Sequence, residues 1–283
     1  MSGQTGTRAK ASPLVEGYHA LEEKPDKAAR SARAALAAHP SSPPALRLLG
    51  LALRATGQPD EAAEFEQRAL KAAASDPILL QAGRGLVSNQ LHEAEPLLRE
   101  RLKRDPYDYS AIRMMAELAA RIGRLADSEN LLRRAIELAP SFQSARANLA
   151  TVLYRQHRAA DALEVLDQLA EHSDLADGYR NLRAAALGRV GGYQEAISLY
   201  RDVLSRHSAQ PKIWMSLAHL LKTVGEQDEA ISAYRRAIDL APALGEVWWS
   251  LANLKTVSFD DADIASMEAA LDDAALGADD QLH

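Results

Sequence analysis

Residues 211–242 read PKIWMSLAHLLKTVGEQDEAISAYRRAIDLAP, and the fold of the whole chain follows from this one stretch. With Pro211 at place 1, Trp214, Leu217, Ala218 and Leu221 fall at places 4, 7, 8 and 11. Spacings of three and four set them on one face of a helix. Gly225 stands where that helix must stop, because a left-handed residue costs glycine nothing. Ala230, Tyr234 and Ala237 repeat the spacing on a second helix, with Ala230 small where two antiparallel helices must come close. Pro242 cannot continue that helix and marks the next start. No period of two persists and β-branched residues are few, so a strand reading fails.

The rest of the chain repeats this unit. The small residue of place 20 recurs as Ala28, Ala62, Ala94, Ser128, Ala162, Ala196 and Ala230, in steps of 34, 32, 34, 34, 34 and 34. Residues 1–12 read as a disordered leader, residues 13–258 as about seven and a half units, and residues 259–283 as an acidic helix followed by the start of another. The third unit, 77–106, is the short one, with Asn89 near the glycine place. His157 replaces the glycine in the fifth unit, and Phe259 occupies that place in the last. Ser258 with Asp261 makes a capping-box pattern, and Ile264, Met267, Leu271 and Ala274 share an apolar face beyond it. Because GADDQLH resembles a helix beginning rather than a polar-faced cap, the natural protein is expected to continue past His283.

These places match the tetratricopeptide (TPR) pattern residue by residue. The resemblance implies an all-α fold: a right-handed α-solenoid, or superhelix, of antiparallel helix pairs that holds a peptide or protein segment in a concave groove. A narrower resemblance lies in residues 245–271, GEVWWSLANLKTVSFDDADIASMEAAL, which is similar to the last repeat before the catalytic domain of bacterial TPR-sulfotransferases. It implies the N-terminal region of such a protein without its sulfotransferase domain, since the phosphosulfate-binding loop is missing from this chain.

Composition narrows the function classes. Hydrophobic residues make up 47% of 283, enough for a sizeable core. No cysteine is present, which removes disulfides, thiolate metal sites and a cysteine nucleophile, and fits a cytoplasmic location. No apolar run approaches the ~20 residues of a membrane helix. The net charge of −6 is uneven: residues 259–283 hold eight acids and no Lys or Arg, leaving 33 basic and 31 acidic residues before them. That near-neutral body argues against a nucleic-acid partner.

Catalytic and cofactor motifs are missing as well. Neither GxxxxGK[ST], GxGxxG, GxSxG nor HExxH occurs, and no two of the eight histidines stand three or four apart, so no catalytic, cofactor or metal residue is assigned. The expected function is a non-enzymatic interaction scaffold.

Its binding face follows from the register. Places 5, 9, 12 and 13 of each first helix lie off the buried stripe, on the face that lines the groove in TPR proteins. Here they carry Arg47 and Arg54, then Arg113, Glu117 and Arg121, then Thr151, Tyr154 and Arg155, then Asn181 and Arg189. Met215, His219 and Lys222 follow, and finally Trp249 and Asn253. Two readings of the arginines stand: bidentate recognition of an acidic protein segment, or solubilisation of alanine-rich helices. The Lys and Asn trio of a carboxylate clamp is not matched, Asn148 alone being in place. Trp248 repeats Trp214 after 34 residues and is expected to pack between units, whereas Trp249 faces the groove or a following domain. The acidic end is either a solvated helix or a segment that docks on a basic groove.

Overall fold

The computed structural model describes residues 13–170, 177–272 and 277–282, and all regular structure among them is α-helical. The leader 1–12 and Ala274 lie outside the described residues. The chain divides into two compact units, residues 1–156 and 157–283. The first holds α1 (Pro13–Ala20), α2 (Pro25–Ala38), α3 (Pro43–Ala55), α4 (Pro59–Ala73), α5 (Pro77–Val87), α6 (Leu91–Arg104), α7 (Tyr109–Arg121), α8 (Leu125–Leu138) and α9 (Gln143–Arg155). The second holds α10 (Ala159–Ala170), α11 (Asp177–Val190), α12 (Tyr193–Arg206), α13 (Pro211–Val224), α14 (Gln227–Leu240), α15 (Gly245–Ala252), α16 (Asp261–Leu271) and α17 (Ala278–Leu282).

Local chemistry sets the helix ends. Prolines occupy the first turn of α2, α3, α4, α5 and α13, where a missing N–H costs nothing. The Asp76 carboxylate accepts the N–H groups of Ile78 and Leu79 (2.9 and 3.2 Å), and Asp108 accepts that of Ala111 (3.3 Å), capping α5 and α7. First helices stop on left-handed residues: Gly57, Asn89, Gly123, His157, Gly191 and Gly225 all have positive φ. Asn89 and His157 therefore take the glycine place and also its conformation.

Packing confirms the register. Ala28, Ala62, Ala94, Ser128, Ala162, Ala196 and Ala230 are all 0% exposed. Where serine replaces alanine, its hydroxyl is satisfied: Ser128 Oγ donates to the Ala116 carbonyl of α7 (2.7 Å). In the second unit Leu217, Ala218 and Leu221 pack with Ala230, Tyr234 and Ala237 in one core.

The first unit departs from simple nearest-neighbour stacking around its short third repeat. Tyr109 at the start of α7 donates its hydroxyl to the Glu66 carbonyl of α4 (3.0 Å). The Ser141 N–H donates to Glu66 Oε2 (3.0 Å), and Gln67 Nε2 donates to the Ser141 carbonyl (2.9 Å). The second repeat thus touches the fourth directly, which a regular solenoid does not do.

The C-terminal end changes course earlier than the sequence pattern indicates. Helix α15 ends at Ala252, and Lys255 is left-handed (φ 58) four residues before the expected stop at Phe259. Phe259 instead packs edge-on against Trp248, with ring centroids 6.0 Å apart. The capping box is also displaced from the expected Ser258–Asp261 pair. It forms between Asp260, whose extended backbone points its carboxylate at the Asp263 N–H (2.9 Å), and Asp263, which accepts the Asp260 N–H in return (3.2 Å). Arg235 of α14 grips the Asp263 carboxylate with both terminal nitrogens, one of them at 2.9 Å. Helix α17 seats at the start of α15, where Asp280 Oδ1 accepts the Gly245 N–H (3.1 Å).

Gly225 isolates the backbone term of a left-handed stop. Its φ is 91°, and nothing lies within 4 Å of where a Cβ would stand, so a substitution there meets strain and no clash. Gly225→Val is expected to cost about 1–2 kcal/mol in denaturant-induced unfolding. A variant as stable as the parent would show that the corner is not held left-handed.

Candidate protein-binding surface

In the first unit the predicted groove residues fall into two groups. Arg113, Glu117 and Arg121 stack on α7, with Glu117 bonded to Arg121 (2.8 Å) and near Arg113 (3.5 Å). From α9, the Asn148 amide bridges the Arg113 guanidinium and the Ser144 carbonyl, at 3.2 Å each. Glu117, Arg121, Asn148, Thr151 and Arg155 open onto one cavity of about 320 Å³, floored by Leu132 of α8. Arg155 is exposed and has no ion-pair partner among the described residues. Three arginines therefore face one glutamate here, and the patch carries a positive excess. Tyr154 stands half-buried beside it.

Arg47 and Arg54 belong to the second group, turned into the protein. The Arg47 side chain is fully buried and its guanidinium bonds Asp105, with Asp108 Oδ2 at 3.4 Å, so the expected ligand-facing role is corrected to an internal one. The cause is the 105–109 corner, which covers the face of α3 that a regular solenoid leaves open. Arg101 joins the same cluster through Asp108 (2.7 Å) and Asp76 (3.0 Å). Burial pulls the Arg47 guanidinium toward neutrality, but the Asp108 and Asp105 carboxylates outweigh it and hold its pKa above the usual value. Tyr18 and Tyr109 rise well above the ordinary tyrosine value, chiefly because burial disfavours a phenolate. Arg54 spends its charge on Glu66 (2.6 Å), whose carboxylate is buried.

In the second unit, Arg189 Nη1 donates to His157 Nδ1 (2.9 Å), Asn181 is half-buried, and Lys222 and Asn253 are exposed. Trp249 is 54% exposed although Trp248 beside it is buried, which separates the two tryptophans as their register predicts. His219 faces inward: its Nε2 lies 3.1 Å from Ser250 Oγ and its ring meets the Tyr234 ring edge-on. Burial lowers the His219 pKa, Glu246 opposes that shift, and Lys222 adds to it. Tyr234 is pushed up to about 12, again mainly by burial. Among the described residues, no group of three His, Asp or Glu side chains is placed to hold a metal ion, and no helix is long and apolar enough to cross a membrane.

The tetratricopeptide-repeat pattern matches residues 22–77 and 84–243, more than half of the sequence. The chain belongs to the tetratricopeptide-repeat family. Among solved structures it is similar to a MamA fragment from Desulfovibrio magneticus RS-1, at 16% identity and a TM-score of 0.52, over 57% of this chain and 92% of that one. It is likewise similar to MamA AMB-1, at 19% identity and a TM-score of 0.52, over 58% of this chain and 98% of that one. At these identities the likeness is one of fold. No curated protein sequence matches the chain.

TPR register alone did not show that place 5 of α3 is closed off. The signal was the acid-rich corner DPYDY, residues 105–109, which sits between two helices and supplies two carboxylates where the corner at 75–77 carries one and that at 139–140 is Ala-Pro.

Two outcomes follow from these buried groups. Arg47→Ala takes the buried partner from Asp105 and leaves Asp108, which is 0% exposed, to Arg101 alone, and should cost about 3–5 kcal/mol of unfolding free energy. A loss under ~1 kcal/mol would show that the cluster is solvated. His219 is held neutral in the folded state, so its folded pKa lies below its unfolded one. Its contribution is complete above the ordinary value of about 6.5 and is lost as pH falls from there through the lower folded pKa. The thermal midpoint of the parent should therefore drop more steeply below about pH 6.5 than that of His219→Gln; parallel profiles would rule this out.

Proposed function

We propose that this TPR chain is a non-catalytic scaffold that holds an extended, acidic protein segment against α7 and α9. The observation that supports it is the 320 Å³ cavity rimmed by Arg121, Arg155 and Asn148, with Arg155 unpaired and only Glu117 to offset the arginines. Planar guanidinium groups match carboxylates in a two-point geometry, and a preformed helix face spares the ordering cost of binding. Trp249 and Lys222 extend the same kind of face in the second unit, where an aromatic anchor suits a protein partner.

The resemblance of residues 245–271 to the repeat that precedes a sulfotransferase domain suggests a biological setting: a cytoplasmic bacterial scaffold that presents its bound segment to a transferase. The early stop of α15, the displaced capping box and the exposed Trp249 support a contact with a following domain at this end. The alternative, a transferase module complete in itself, lacks a nucleotide-binding loop. Turnover of a phosphosulfate donor by this chain would overturn the non-catalytic reading.

Peptide display on the full chain tests the binding face. Enriched sequences should be rich in Asp and Glu, and Arg155→Ala and Arg121→Ala should each weaken them about tenfold, or ~1.4 kcal/mol, with the loss shrinking at high salt. Enrichment without acids, or binding indifferent to both substitutions, would refute the assignment.

A further inference from the structure

A second cavity of the first unit lies elsewhere, between α1 and α6, and has a different chemistry. It holds about 690 Å³ and is walled by Leu14, Val15, Pro44, Ile78, Pro96 and Leu97. Val15 is 47% and Ile78 36% exposed, and both face the same space. Exposed apolar residues scattered over a surface are ordinary, but a converging set around a concave space is not. Helix α1 is fixed as one wall by three contacts. Gly17 lets it lie against α3, where an added Cβ would stand 2.5 Å from Leu48 Cδ2. The Tyr18 ring stacks on Tyr107 with centroids 4.5 Å apart, and the Tyr18 hydroxyl donates to the Pro44 carbonyl (2.9 Å). The cavity is therefore preformed and carries an aromatic pair at its edge.

The charges at its rim are already neutralised within the chain. Arg104 bonds Glu100 (3.0 Å), Arg101 bonds Asp76 and Asp108, and Asp105 bonds Arg47. A ligand complementary to such a rim has no net charge. The wall also offers little to a peptide backbone, whose N–H and C=O groups must find partners when buried. We propose that this cavity is a binding site for an uncharged, apolar small molecule, aromatic or branched aliphatic, distinct from the arginine patch on α7 and α9. Its size and its mostly hydrophobic lining with few polar groups are those of small-molecule sites.

The test uses the full chain and phenylnaphthylamine, an uncharged probe that fluoresces in apolar surroundings. One equivalent is expected to bind. In parent protein labelled on its methyl groups, the probe should shift the resonances of Leu14, Val15, Ile78 and Leu97, a readout that needs no variant. Val15→Glu and Leu97→Glu should each weaken the probe at least tenfold with helical content retained, whereas Leu271→Glu on α16 should not. The anionic relative anilinonaphthalene sulfonate should bind more weakly than the neutral probe. Unshifted methyl groups, unchanged affinity in both lining variants, or preference for the sulfonate would each overturn the proposal. So would displacement of the probe by the acidic peptides selected on the arginine patch, since it would merge the two sites.

Discussion

Everything in this structure depends on how closely paired helices approach at one place per repeat. Seven residues at that place, six alanines and one serine, are completely buried. A larger side chain there would separate each first helix from its second and expose the leucines at places 7 and 11. Helices that pack this tightly through small residues bury much of their area as backbone and Cβ, which is why a chain with 5% aromatic residues still builds buried cores in both units. The left-handed stops are the second half of the same constraint, because they turn the chain at the length that brings the small residue under the preceding helix.

Register was the part of the fold most legible in the sequence, since it rests on local chemistry. Spacing identifies the buried stripe, glycine or asparagine marks the stop, and proline marks the restart. His157 shows the limit of that logic. Its side chain disfavours positive φ more than glycine does, yet its φ is 64°, with Arg189 Nη1 2.9 Å from its Nδ1. The end of α15 shows the opposite case. Spacing put the stop at Phe259, but the Trp248–Phe259 contact and the Arg235–Asp263 pair draw the chain back sooner. Those contacts lie outside the repeat, and no repeat pattern encodes them.

The surface was less legible, because exposure depends on which corner covers which face. Arg113, Glu117, Arg121 and Arg155 were placed on one face by counting along two helices; Glu117, Arg121 and Arg155 line one cavity, and Arg113 stands 3.5 Å from Glu117 outside it. Arg47 has the same place number and a different fate, buried against Asp105 and Asp108. The difference arises from a third repeat two residues shorter than its neighbours and from a corner rich in carboxylates. Both features are visible in the sequence, but their joint effect is a matter of three-dimensional closure.

The buried cluster also explains why the first unit presents two unlike surfaces. Arg47 and Arg101 are consumed by Asp76, Asp105 and Asp108, so the charges nearest α1 are satisfied internally and leave an apolar cavity beside them. On α7 and α9 no comparable set of acids is present: Glu117 alone pairs with Arg113 and Arg121, and Arg155 is left without an ion-pair partner among the described residues. Placing several carboxylates at one corner thus does two things at once. It stitches the second repeat to the third and fourth, and it removes competing positive charge from one region while another keeps its excess. Two Arg47 nitrogens, Nε and Nη1, remain without hydrogen-bond partners in the interior. Each such orphan has a desolvation cost of about 1–3 kcal/mol. The cluster therefore fixes where α3 meets the 105–109 corner at some expense of stability, and what it contributes is the position of the walls rather than net binding energy among them.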